Sequence, residues 1–124
     1  MSKSLFDEVG GQAFFERLVG AFYESVATDA LLRPMYPDDL TESKEHLVLF
    51  LAQYWGGPAT YMEVRGHPRL RMRHAEFRIT KKARDAWLAA MNSALDSVRT
   101  ELTLEQMSEM SAYFDMAANQ LRNV

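Results

Sequence analysis

Residues 67–77 of this 124-residue chain, HPRLRMRHAEF, hold two of its three histidines and three of its fourteen lysines and arginines, Arg69, Arg71 and Arg73. A neutral imidazole on a short helix can be the one protein ligand to a metal whose remaining positions a cofactor fills, as haem does. His74 is the candidate for that role. Taken alone, a histidine with no metal is the commoner explanation, so the elements that would position His74 must decide.

Composition narrows the setting. Hydrophobic residues make up 48% and charged residues 25%, which is ordinary for a globular protein and predicts one domain over residues 1–124. No apolar run approaches the roughly 20 residues of a membrane span. The N-terminus turns acidic at Asp7 and Glu8 instead of building the apolar core of a signal peptide. There are no cysteines, hence no disulfide framework and no thiolate metal site, and the expected location is cytoplasmic. The net charge of −3 conceals a basic segment: residues 65–84 carry eight of the fourteen basic residues and one acid, Glu76. Such a cluster suits the carboxylates of a cofactor, an acidic protein partner, or plain solvation. It lacks a recognised nucleic-acid motif, and the acidic remainder opposes that use.

Apolar residues recur at three and four throughout, so the fold class is all-α. Ser4 caps a short helix at 5–9, which Gly10-Gly11 ends. A second helix at 12–27 buries Phe15, Leu18, Val19, Phe22, Tyr23 and Val26. Thr28-Asp29 caps a turn at 30–33, and Pro34 and Pro37 break the chain around Tyr36. Thr41 is the expected N-cap of a helix at 41–55, with Ser43, Leu47, Phe50 and Tyr54 on one face. Gly56-Gly57-Pro58 ends it. Residues 59–66 read as irregular, with Tyr61 and Met62 as anchors. Pro68 opens a short helix to His74. Thr80 caps a helix at 81–100 whose apolar face holds Ala83, Trp87, Ala90, Met91, Ala94, Leu95 and Val98. Thr103 and Gln106 form a capping box for a last helix at 104–122, with Leu104, Met107, Met110, Phe114, Ala117, Ala118 and Leu121 inward.

Two helix pairs crossed in layers would leave the short His74 helix leaning on a flat apolar cofactor. The carbonyl of Leu70, one turn back, suits the second imidazole nitrogen. Arg69, Arg73 and His67 form a cationic rim for the propionates of a haem, or are simply solvated. His46 lies one position off the inward stripe of its helix, so the second axial position is not expected to be histidine. The polar candidates there are Tyr23, Tyr36 and Trp87. Their O–H and N–H groups would stabilise a dioxygen that takes on negative charge when bound, at about 1.5–3 kcal/mol per hydrogen bond. The same three residues also fit as ordinary amphipathic core aromatics.

The sequence closely resembles the truncated haemoglobins, specifically the second group of the kind found in actinobacteria. The resemblance covers nearly the whole chain. It rests on Gly10-Gly11, Phe22-Tyr23, Tyr36-Pro37, the run FLAQYWGGP at 50–58, the run RGHPRLRMRH at 65–74, and Ala86-Trp87-Leu88. It implies a two-over-two helical sandwich enclosing haem b, with His74 as the metal ligand and Tyr23, Tyr36 and Trp87 as the distal polar triad. Leu47 and Phe50 match the apolar distal wall. Ser43 falls where larger globins keep a distal histidine, and a small residue there leaves a route for ligands. Glu76 stands where relatives are expected to carry proline. The function so implied is reversible binding of dioxygen, and of other diatomic ligands, at five-coordinate haem iron. The alternative is an enzyme for nitric oxide dioxygenation or peroxidase-type detoxification served by an external reductase. A homo-oligomer is compatible with the sequence.

Overall fold

The computed structural model describes residues 3–67, 69, 74 and 77–124, and among these it contains six α-helices and no strand. They are α1 (Leu5–Glu8), α2 (Gln12–Thr28), α3 (Thr41–Tyr54), α4 (Thr60–Arg65), α5 (Lys81–Ser97) and α6 (Leu104–Leu121). Of the expected helix at 68–74, only Arg69 and His74 belong to the described residues. Pro68, Leu70, Arg73 and Glu76 lie outside them.

The pairs α2/α3 and α5/α6 are joined chiefly through α2 packing on α5, which makes the two-over-two helical fold. Phe14, Phe15, Leu18, Phe22 and Val26 of α2, Leu51 of α3, and Met91, Leu95, Met110 and Phe114 of α5 and α6 are essentially sealed from water. Burial of each such side chain contributes roughly 1.5–3 kcal/mol before the entropy of ordering it is subtracted. The expected buried face of α2 is present in full, and Phe14 joins it by stacking edge-on against Phe15.

The end signals act largely as expected. The Ser4 hydroxyl accepts from the Asp7 N–H, Thr80 accepts from the Ala83 N–H, and Thr103 and Gln106 close a reciprocal capping box. Gly56 has a φ of 97°, and a side chain at either Gly56 or Gly57 would collide with Ser4 or Phe6. This pair therefore stops α3 and also lets α1 dock, with the Phe6 N–H donating to the Trp55 carbonyl at 3.0 Å.

Four local expectations are corrected. Thr41 is the first residue of α3 rather than its cap; the Asp39 carboxylate accepts the Thr41 N–H at 2.9 Å, and hydrogen bonding from the Thr41 side chain, then from this N–H, holds Asp39 below the usual carboxylate range. Residues 59–66 are not irregular: α4 forms there because Tyr61 is buried and the Gln53 side chain of α3 accepts from the Met62 N–H. Met62 itself is exposed and anchors nothing. Leu104, in the first turn of α6, is 92% exposed, and the inward face of α6 starts a turn later at Met107.

Candidate cofactor-binding site

The apolar periodicity of α3 hides two faces. Val48, Leu51 and Ala52 are buried in the core, whereas Ser43, Leu47 and Phe50 are only half-buried because they face a cavity. The cavity has a volume of about 440 Å³. That lies within the roughly 300–1,000 Å³ typical of small-molecule and cofactor sites. From α5, Ala83 and Trp87 reach it; from α4, Tyr61 and Arg65; from α6, Ala118 and Leu121. Trp87 is half-buried rather than deep in the core, because its turn of α5 meets this space instead of another helix.

His74 and Tyr36 line the same cavity. His74, Phe77 and Ile79 are tied by a residue that periodicity did not single out. Asn123 accepts the Ile79 N–H at 2.9 Å through Oδ1, and its Nδ2 donates to the carbonyls of Phe77 at 2.9 Å and His74 at 3.5 Å. Phe77 and Ile79 are thereby added to the lining beside His74.

Tyr23 is not among the lining residues. It is 4% exposed and stands behind Tyr36, with the two rings edge-on at 5.6 Å. Burial pushes the Tyr36 phenol up to about 12, with a hydrogen-bonding interaction with Trp87 acting in the opposite sense. Burial also raises Tyr23, followed by the neighbouring Tyr36, while a hydrogen bond with Ser43 lowers it. Both phenols thus stay protonated well above neutral pH, which keeps them hydrogen-bond donors. The three polar aromatics form a layered arrangement in which Tyr36 and Trp87 meet the cavity and Tyr23 backs them, while Ser43, itself in the lining, hydrogen-bonds with Tyr23.

The cationic rim differs in membership from the expected one. Among the described residues, Arg65 and Arg84 line the cavity, and His67 and Arg69 do not. Arg69 is exposed, with its N–H donating to His67 Nδ1 at 3.3 Å. Arg84 reaches Asn119 and Asp85. Arg65 donates to His46 Nδ1 at 2.9 Å. A guanidinium can only donate, so this contact places the His46 proton on Nε2. His46 lines the cavity too. Both arginines belong to the basic segment 65–84, but charge pattern alone did not separate them from the other six.

The residues fit a haem: the His74 imidazole, with His46 tied to Arg65, an extended apolar lining, polar aromatics and arginines around one cavity. No cluster of three or more histidine, cysteine or acidic side chains that could hold a bare metal ion occurs among the described residues. None of the described helices is long and apolar enough to cross a membrane.

Comparison with known proteins converges on one family. The family model for bacterial-like globins matches residues 4–120. The group 2 truncated haemoglobin YjbI of Bacillus subtilis is 48% identical over 94 residues, spanning 76% of this chain and 71% of that protein. The X-ray structure of a thermostable haemoglobin from the actinobacterium Thermobifida fusca is similar with a TM-score of 0.95 and 47% identity over 98% of each chain. That of a truncated oxygen-avid haemoglobin from Bacillus subtilis gives 0.91 and 39%, covering 98% of this chain and 100% of that one. On the two-over-two fold and these matches, the chain belongs to the bacterial-like globin family, as a truncated haemoglobin of the second group.

Proposed function

We propose that the cavity holds haem b, with His74 as the protein ligand to iron, and that the haem protein of residues 1–124, a single globin domain, binds dioxygen reversibly. The observation that carries this reading is the lining itself: His74 and the Tyr36–Trp87 pair face one largely apolar cavity. Membership of the globin family implies a haem cofactor. Haem held there would supply an iron centre able to bind a diatomic ligand.

The chain's own residues set what that position favours. His74 would hold the iron, and the Asn123 hydrogen bonds steady the backbone on which it sits. Leu47, Phe50, Tyr61 and Leu121 exclude water and give the flat ring an apolar seat. Tyr36 keeps its proton at neutral pH, so its O–H would be available to donate to a ligand in the cavity. Trp87 steadies the Tyr36 hydroxyl, and Tyr23, hydrogen-bonded with Ser43, supports it from behind. Arg65 and Arg84 take the place expected of Arg69 and His67 as partners of the propionates. Such a donor arrangement slows ligand escape, in keeping with the oxygen-avid description of the Bacillus subtilis relative.

The absorption spectrum of the purified protein tests this directly. A Soret band is expected after haem supplementation, and its absence would end the haem reading. His74→Ala should lose stable haem coordination; a native five-coordinate ferrous spectrum in that variant would remove His74 from its role. Stopped-flow release of dioxygen should be slow and should quicken in Tyr36→Phe.

A further inference from the structure

A connected row of aromatic rings leaves the cavity and ends where α3 meets α6. Trp87, in the lining, has its ring 5.9 Å from that of Phe114. Phe114 is 5.6 Å from Tyr113, and Tyr113 is 4.2 Å from Tyr54. A second branch starts at Phe50, also in the lining, and reaches Tyr54 at 6.3 Å. Each of the two tyrosines therefore has its own line of ring contacts to the cavity. Tyr54 is 50% exposed and Tyr113 is partly covered beside it, so the row opens at the surface. Dioxygen binding as derived above makes no use of this arrangement.

Tryptophan and tyrosine give up single electrons readily, and rings in contact pass the resulting electron hole between them. Phenylalanine is harder to oxidise and serves as a bridge. Two phenols whose rings lie side by side are positioned to bond through ring carbons once each has lost an electron. The buried pair Tyr23–Tyr36 meets edge-on at 86°, whereas Tyr54 and Tyr113 are inclined by only 34°.

We propose that Tyr54 and Tyr113 are the surface terminus for oxidising equivalents that hydrogen peroxide delivers to the cavity, and that they couple there as an intramolecular dityrosine. The inference rests on the cavity holding haem and goes beyond dioxygen binding. Each phenol loses one electron and its hydroxyl proton. The two phenoxyl radicals join at ring carbons adjacent to the hydroxyls, and proton shifts restore both O–H groups. The net change in the pair is one new C–C bond and the loss of two hydrogen atoms. Those two electrons and two protons reduce one hydrogen peroxide to two waters. Burial, and then Tyr54, raise the Tyr113 phenol to about 12, so it starts protonated and oxidation must release its proton. Glu109, on the same surface depression and four residues earlier on α6, is the carboxylate placed to receive it. Coupling would draw oxidation away from Tyr36 and Trp87 and tie α3 to α6.

The test treats the haem-loaded protein, with its Soret band recorded first, with hydrogen peroxide and maps its peptides by mass spectrometry. The expected product is a cross-linked peptide pair joining positions 54 and 113, lighter by two hydrogen atoms and showing dityrosine fluorescence. Tyr54→Phe and Tyr113→Phe should each abolish it. Protein loaded with zinc protoporphyrin, kept in the dark, should give none. Equal coupling in the zinc-loaded protein would show that the cavity is not the source and overturn the proposal. So would a haem-loaded protein with a normal Soret band whose oxidation is confined to Met116, Tyr36 or Trp87, and that result would leave the haem reading intact. No Soret band at all would remove both readings.

Discussion

Ser43, Leu47 and Phe50 stand on α3, and Ala83 and Trp87 on α5, so one wall of the cavity grows from helices whose other faces are locked in the core by Val48, Leu51, Met91 and Leu95. His74, Phe77 and Ile79 come from the segment between α4 and α5, and hydrogen bonds to Asn123 brace them. The first wall is positioned by packing, which is cooperative and spread over many side chains. The second depends on a few polar contacts, each worth only about 0.5–1.5 kcal/mol net. Precision on the polar-aromatic side therefore follows from global stability, whereas on the His74 side it is local and separately adjustable.

A pair of substitutions tests that difference most sharply. Leu51→Ala empties a fully sealed position on the core face of α3 and should destabilise the whole protein by about 2–5 kcal/mol in urea unfolding. Asn123→Ala removes three side-chain hydrogen bonds and should cost less, about 1–3 kcal/mol. Its distinctive effect should be faster loss of haem to an acceptor protein and faster exchange of the Ile79 amide. If Asn123→Ala unfolds the chain as readily as Leu51→Ala does, the two walls belong to one cooperative unit and the contrast fails.

The same contrast accounts for what could be read from the sequence. The helix faces, the capping box of Thr103 and Gln106, and the glycine stop at Gly56-Gly57 are local signals, each with a fixed spacing. They put Leu47 and Phe50 on the inward stripe of α3, whereas Tyr36 and Trp87 are equally readable as core aromatics until the resemblance singles them out. His74 was legible through its resemblance to the family, not through spacing. Asn123 carries no periodic signal, because its partners lie 44 to 49 residues away along the chain. α4 was missed because Gln53 and the core around Tyr61 stabilise it, and neither acts within the segment itself. That Arg65 and Arg84 line the cavity, and His67 and Arg69 do not, has a similar cause: a run of eight cations gives charge but not direction.

Alkaline pH should strain the packed wall. The folded-state value of Tyr36, about 12, lies above the ordinary phenol value of 10.0. The folded protein thus holds this proton more tightly than the unfolded chain. Its contribution is fully present below about pH 10 and is lost as the pH rises towards about 12. Tyr36→Phe should flatten part of the fall in urea midpoint across that window, with Tyr23 and Tyr113 supplying the remainder because both are also raised. An unchanged slope in Tyr36→Phe would mean that this phenol is not set by the packed wall.

Ser43→Ala should give the smallest effect and separates packing from hydrogen bonding within that wall. Alanine keeps the helix and adds no bulk, so α3 should hold its place. The change removes the hydrogen bond that lowers the Tyr23 phenol, leaving burial and Tyr36 to act unopposed. Tyr23 should therefore titrate at still higher pH, seen as a delayed rise in phenolate absorbance. Stability at neutral pH should fall by about 0.5–1.5 kcal/mol, the net worth of one neutral hydrogen bond. Dioxygen release should quicken slightly, because Tyr23 supports Tyr36 only at one remove. A change in release as large as that of Tyr36→Phe would mean that Ser43, which lines the cavity, acts on the ligand itself and not through Tyr23.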